Sequence, residues 1–170
     1  MLRWLINKRL NAAEKKLGVS VDYMRHIAKV SLPAFFKFTR FLPMAEYRKT
    51  LPVEPFHIAR LVVVKQEDCG TCVQIEVNLA KHDGVSTALL QIVLDGKVDA
   101  LPKELANVYR FAQTVVTQQD DAELREVMRQ QYGEEGLVEL ALTIAASTVF
   151  PMTKRVLGYS TSCSRVKVNL

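Results

Sequence analysis

The sequence predicts an all-α protein. Apolar residues recur at three- and four-residue spacing along most of the chain, and sustained alternation is rare. Glycines and prolines fall where helices would end or begin. At 170 residues the chain is long enough for one well-buried core, with roughly 70% of its surface removed from water on folding. The pattern divides it into a basic helical extension over residues 1–50, a compact multi-helix domain over residues 51–158 and a short polar tail over residues 159–170. The tail alternates only at Val166-Lys167-Val168 and is expected to be loosely held.

Leu2, Leu5, Ile6, Leu10, Ala13 and Leu17 form one stripe, and Gly18 supplies a stop for this first helix. Ser20 or Asp22 is placed to cap a second helix running towards Val30. Pro33 and Pro43 bracket a segment carrying Phe35, Phe36, Phe38 and Phe41, read as a connector whose rings fill a groove between subunits or line the mouth of a pocket. A helix follows between Pro52 and Glu67, with Pro55 in its first turn and Ile58, Leu61, Val62 and Val64 as apolar positions. Asp68 is placed to cap the next helix, which carries Cys72, Val73, Ile75 and Leu79 and ends at His82-Asp83-Gly84. Ser86 opens a short helix that Gly96 ends. Pro102 opens another, with Leu105, Val108, Tyr109, Ala112, Val115 and Val116 on one side. Asp120 or Asp121 caps a helix holding Leu124, Val127 and Met128, closed by Gly133. The last helix runs from about Glu135 through Leu137, Leu140, Ala141 and Ile144 to a stop or kink at Pro151.

The net charge of +5 is unevenly spread. Residues 1–50 carry 11 Lys/Arg against 3 Asp/Glu, a net of +8, whereas residues 51–170 carry 12 against 15, a net of −3. The basic character belongs to the extension, so it is no nucleic-acid signature of the whole chain. Trp4 with Arg3, Lys8, Arg9, Lys15 and Lys16 on the first helix fits a membrane-surface helix. Packing of its stripe within the protein or on a neighbouring subunit is the expected outcome. No run approaches the ~18 apolar residues of a membrane span, and Arg3, Asn7, Lys8 and Arg9 break up any secretory leader. Three cysteines, an odd number, lead to the expectation of a reducing, cytoplasmic compartment.

The pair Cys69-Gly70-Thr71-Cys72 carries the chemistry. Two thiols three residues apart at a helix start can close a disulfide across one turn and reopen it, and the usual meanings of the spacing are redox or zinc. Zinc needs four ligands, and no second Cys-x-x-Cys or His-x-His is present, so no metal and no cofactor are expected. The helix dipole at that position favours a thiolate. Glu76 lies one turn after Cys72 on the same face, in reach as a proton carrier. His57 lies twelve residues before Cys69, and an antiparallel turn at Glu67-Asp68 would bring it towards the thiols. His82 is read as a helix C-terminal residue, His26 has no evident partner, and Cys163 reads as a tail thiol.

These residues resemble the alkylhydroperoxidase D and carboxymuconolactone decarboxylase-like family. Its redox members carry Glu, eleven residues, Cys-x-x-Cys, three residues, then His. This chain has His57, eleven residues, Cys69-Gly70-Thr71-Cys72, three residues, then Glu76, with acid and imidazole exchanged. The resemblance covers about residues 52–158. It includes the turn Tyr132-Gly133-Glu134-Glu135-Gly136-Leu137 into the last helix. It implies an all-helical AhpD-like fold and a homo-oligomer, a trimer or hexamer. It also implies an attacking Cys72, a resolving Cys69, and His57 and Glu76 sharing a proton relay. Helix position alone favours Cys69 as the more exposed and reactive sulfur.

The resulting expectation is a thiol-dependent peroxidase or disulfide reductase. Its partners would be a peroxide or disulfide substrate and a dithiol electron donor, a protein or a lipoyl-type group. Two alternatives remain: an oligomeric helical module whose catalysis is impaired by the His57/Glu76 exchange, and decarboxylase-like chemistry on a small carboxylate. A carboxylate close to Cys72 would raise its thiol pKa by like-charge repulsion.

Overall fold

The computed structural model describes residues 2–161 and 169–170, and every regular element among them is helical. The first helix, α1 (Leu2–Leu17), turns Ile6 and Leu10 inward and leaves Trp4 exposed with Lys8 over its ring. Gly18 ends it at φ 70°; a Cβ there would also meet the Asn78 side chain at 2.6 Å, which donates to the Leu17 carbonyl. Glycine is therefore required twice over, by conformation and by close approach. The next helix, α2 (Asp22–Val30), starts with the Ser20 hydroxyl accepting the Asp22 N–H and Glu14 accepting the Val21 N–H.

The aromatic segment is a helix rather than a connector. α3 (Leu32–Thr39) opens with the Ser31 hydroxyl accepting the Ala34 N–H and Pro33 in its first turn, where a missing N–H costs nothing. A single turn, α4 (Leu42–Ala45), uses Pro43 in the same way. The phenylalanines pack within the chain: Phe35 is buried beside Ile6, Leu10, Tyr23 and Met24, and Phe38 and Phe41 meet Phe150. Only Phe36 of the four is largely exposed.

At the centre of the larger core lies α5 (Val53–Gln66). Ile58, Leu61 and Val63 are fully buried, and Phe56, Val62 and Val64 nearly so, so apolar side chains cover it all round. Each such side chain contributes roughly 1.5–3 kcal/mol through removal from water. Around it pack α6 (Gly70–His82), α8 (Lys103–Val116) and α9 (Ala122–Val156), with α7 (Thr87–Asp95) and a 3-10 turn at Val98–Ala100 closing one side. Ser86 caps α7 and Gly96 ends it in a left-handed conformation, as the sequence predicts.

Asp121 caps α9 through the Leu124 N–H, and Gly133, at φ 72° and ψ 177°, breaks it. Past that break the helix does not stop at Pro151 but runs on to Val156. Within α9 a stretch of 18 residues is apolar enough for a membrane crossing by length and composition alone, which the absence of a long uninterrupted apolar run had not suggested. Here, however, Leu140, Thr143, Ile144, Ser147, Pro151 and Lys154 form a stripe built into the protein interior. On the same helix Glu139 gathers the backbone N–H groups of Lys49, Thr50 and Leu51, fixing the entry into α5. Burial pushes its carboxyl up, but those three donors outweigh burial and hold it below its usual value.

Candidate functional site

A backbone reversal joins α5 to α6. Asp68 takes φ 47°, and the Asp68 and Cys69 N–H groups return to the carbonyls of Lys65 and Val64. Asp68 thus ends α5 as a left-handed residue and cannot also take the extended conformation of a helix cap. The cap position of α6 is occupied by Cys69 instead, and Cys72 becomes the third helical residue. Both cysteines still lie at the start of the helix, where the helix dipole favours negative charge.

Cys69 and Cys72 are joined by a disulfide, with Cα atoms 5.2 Å apart. Cys69 is 0% exposed and Cys72 5%, which reverses the expectation that the sulfur nearer the helix end is the more open one. The cause lies in what covers the helix end. The Gly70 N–H donates to the Thr161 carbonyl at 2.8 Å, and Arg155 from the last turn of α9 binds both the carboxylate and the carbonyl of Glu67. The described ends of the tail are likewise fastened, since Asn169 exchanges hydrogen bonds with the Gln74 side chain on α6. Cys163 lies outside the described residues.

Next to the disulfide sits a buried cation. Lys154, 2% exposed, donates from Nζ to Thr71 Oγ1 at 3.1 Å and lies 5.2 Å from the centroid of the Tyr23 ring. Thr71 Oγ1 is 3.6 Å from Cys69 Sγ. Among the described residues no carboxylate lies within ion-pair distance of Lys154, and burial pushes its amine down to about 8. Burial also raises the Tyr23 hydroxyl well above its ordinary value.

The α5–α6 hairpin brings His57 and Glu76 together, Nδ1 2.5 Å from Oε1, both side chains buried. The other ring nitrogen, Nε2, lies 3.0 Å from Asp83 Oδ2. The second oxygen of Glu76 lies 2.7 Å from Arg60 Nε, off the line of a straight hydrogen bond, so this contact is an ion pair by proximity. Arg60 also stacks on Phe56, its guanidinium 4.9 Å from the ring centroid. Both ring nitrogens thus lie within hydrogen-bond distance of a carboxylate oxygen.

His57 is therefore committed to carboxylates on two sides and directs neither nitrogen at a sulfur. Asp83 lies eleven positions beyond Cys72, about 16 Å along the α6 axis, so Nε2 points away from the cysteine end. Glu76 does follow Cys72 by one helical turn, with its oxygens held by His57 and Arg60. The exposed His82 lies 3.2 Å from Asp83, and His26 faces Tyr159. Among the described residues no group of His, Cys, Asp and Glu is placed to hold a metal ion.

Sequence reasoning missed Arg60, Thr71, Asp83 as a partner of His57, and Lys154. A signal existed for two of them. Arg60 lies three residues after His57 on the same face of α5, and Lys154 continues the inward stripe of α9 beyond Pro151. The chain matches no protein-family model, no curated protein and no solved structure.

Proposed function

We propose that this chain is a thiol-dependent oxidoreductase that reduces organic hydroperoxides or disulfides through Cys72 and Cys69. One observation carries the reading: two cysteines at the first turn of α6 are joined by a disulfide, and a buried lysine binds the Thr71 hydroxyl beside Cys69. The spacing of His57, Cys69, Cys72 and Glu76, which resembles the redox branch of the alkylhydroperoxidase D-like family, supports the same chemistry.

In the proposed cycle the Cys72 thiolate attacks the peroxide oxygen. The O–O bond breaks, and the alcohol departs with a proton while Cys72 becomes a sulfenic acid. The Cys69 thiolate then attacks Cys72 Sγ, forming the disulfide and releasing hydroxide, which is protonated to water. An external dithiol returns two electrons and two protons. The family resemblance assigns the protons to a relay shared by Glu76, one turn from Cys72, and His57, to which it is bonded. The family resemblance extends the proposal to a homo-oligomer in a reducing, cytoplasmic compartment where the pair rests as a dithiol.

A second reading is favoured by the closed state of His57: a helical module that keeps this architecture without turnover, because both His57 nitrogens face carboxylates and neither is directed at a sulfur. Cumene hydroperoxide consumption in the presence of a dithiol decides between them. The wild-type chain is expected to turn over, and Cys72→Ser to lose at least a hundredfold of that rate, since the attacking atom is gone. A wild-type chain inert towards both peroxide and a model disulfide would leave the non-catalytic module.

A further inference from the structure

Among the described residues Lys154 is buried without a counter-charge, and the cycle above leaves it idle. Burial of an ammonium is unfavourable unless a partner offsets it. Here the partners of Lys154 are one hydroxyl and one ring face. The lysine faces Thr71 from α6 and Tyr23 from α2. Its neighbour Arg155 is already engaged by Glu67.

We infer that Lys154, acting through Thr71, receives the thiolate that leaves from Cys69 when an external thiol attacks Cys72, and so fixes the direction in which the disulfide opens. This rests on the redox reading and adds to it which sulfur departs and what stabilises it. The hydrogen-bond chain has only one polarity. An ammonium donates and accepts nothing, so Thr71 Oγ1 accepts from Lys154, and its own hydrogen is left for the Cys69 sulfur 3.6 Å away. A disulfide sulfur is a weak acceptor, whereas a thiolate is a strong one, so the contact tightens when the bond breaks.

The burial of the two residues agrees with that direction, because Cys69 is 0% exposed and Cys72 5%. In the step itself a thiolate RS⁻ forms a new S–S bond with Cys72, and the Cys69–Cys72 bond breaks. Its electron pair goes to Cys69, with no proton transferred. The second thiol of the donor then displaces Cys72. Exchange is faster when the leaving thiol is the more acidic one, which is what a hydroxyl backed by a cation provides. In the oxidative half the same pair keeps Cys69 ionised to resolve the sulfenic acid. Lys154 is thus a positioning residue for the leaving group.

The test uses the full chain. A brief pulse of glutathione on the oxidised protein, followed by alkylation and peptide mapping, is expected to place the mixed disulfide on Cys72 and the alkyl group on Cys69. Lys154→Met should slow this exchange about tenfold, and Lys154→Arg should recover most of it. In a Cys72→Ser/Cys163→Ser background, the ultraviolet thiolate absorbance of Cys69 should move to higher pH with Lys154→Met and also with Thr71→Val. If Lys154→Met fails to fold, Thr71→Val carries the test by both readouts. A mixed disulfide found mainly on Cys69, or a titration and exchange rate unchanged by both substitutions, overturns the inference. Neither readout needs peroxide. Lack of peroxide turnover with normal trapping at Cys72 therefore counts against the peroxidase reading alone, and intact turnover with no effect of Lys154 counts against this inference alone.

Discussion

The two ends of α6 hold buried charge in opposite ways. Towards its middle and C-terminal end, one guanidinium and one imidazole meet two carboxylates: Arg60 and His57 against Glu76, and His57 again against Asp83. At its start a lone ammonium, Lys154, faces a hydroxyl and a phenol ring. The first arrangement is complete within the fold, and no step of chemistry is required to explain it. Among the described residues the second has no carboxylate partner, and the hydroxyl that Lys154 binds lies beside Cys69, which can acquire a negative charge when the disulfide opens. Compensated charge on a helix hairpin points to structure, and uncompensated charge beside a breakable bond points to function.

The largest expected effect lies in the compensated cluster. Glu76→Ala leaves Arg60 and His57 buried with half their partners gone, and should cost about 3–5 kcal/mol of stability. Denaturant unfolding of the oxidised protein at pH 7 measures it. A loss below about 1 kcal/mol would mean that the cluster is hydrated and that its contacts are not holding α5 to α6.

Lys154 should behave in the opposite sense. Its folded-state amine titrates at about 8 against an ordinary 10.5, so between those values the unfolded chain binds the extra proton and stability rises with pH. Below about 8 the full penalty of burying the charge is present, and Lys154→Met should stabilise the oxidised protein by about 1–3 kcal/mol at pH 7. The variant should also lose the rise between pH 8 and pH 10. Above pH 10 the buried Tyr23 hydroxyl, raised above its ordinary value, acts in the other direction, so the window ends there. A wild-type profile flat from pH 8 to 10 would show that the lysine has a counter-charge after all.

The two ends of α6 also differ in how far they were legible in the sequence. The His57–Glu76 contact follows from local information, because a hairpin between two helices with a short turn places residues twelve before and seven after Cys69 side by side. The all-α architecture, the Ser86 and Asp121 caps and the breaks at Gly18, Gly96 and Gly133 are local in the same sense. Lys154 is 83 residues from Thr71, and its approach depends on α9 continuing through Pro151. A proline ordinarily ends a helix, but here tertiary packing of the stripe around it outweighs the lost hydrogen bond. Asp68 misled for a related reason: one residue cannot both end α5 in the left-handed region and cap α6 in the extended one. The aromatic segment read as a connector because two prolines flank it, yet each sits in a first helical turn where proline is favourable.

The smallest effect tests whether the compensated cluster acts as one network or as a core with a rim. Asp83 binds His57 Nε2, but its side chain is 39% exposed, so solvent screens the contact. Burial raises its carboxyl, and the bonds from His82 and His57 outweigh that and hold it below 3.8. A lowered carboxyl contributes stability in full above 3.8 and loses it as pH falls through the folded value. Asp83→Asn should therefore cost less than about 0.5 kcal/mol at pH 7, and the difference from wild type should vanish in strongly acidic buffer. If Asp83→Asn instead costs as much as Glu76→Ala, His57 depends equally on both carboxylates. The cluster then extends as one cooperative unit to the helix end, and the boundary drawn between a rigid hairpin and its solvent-facing rim is wrong.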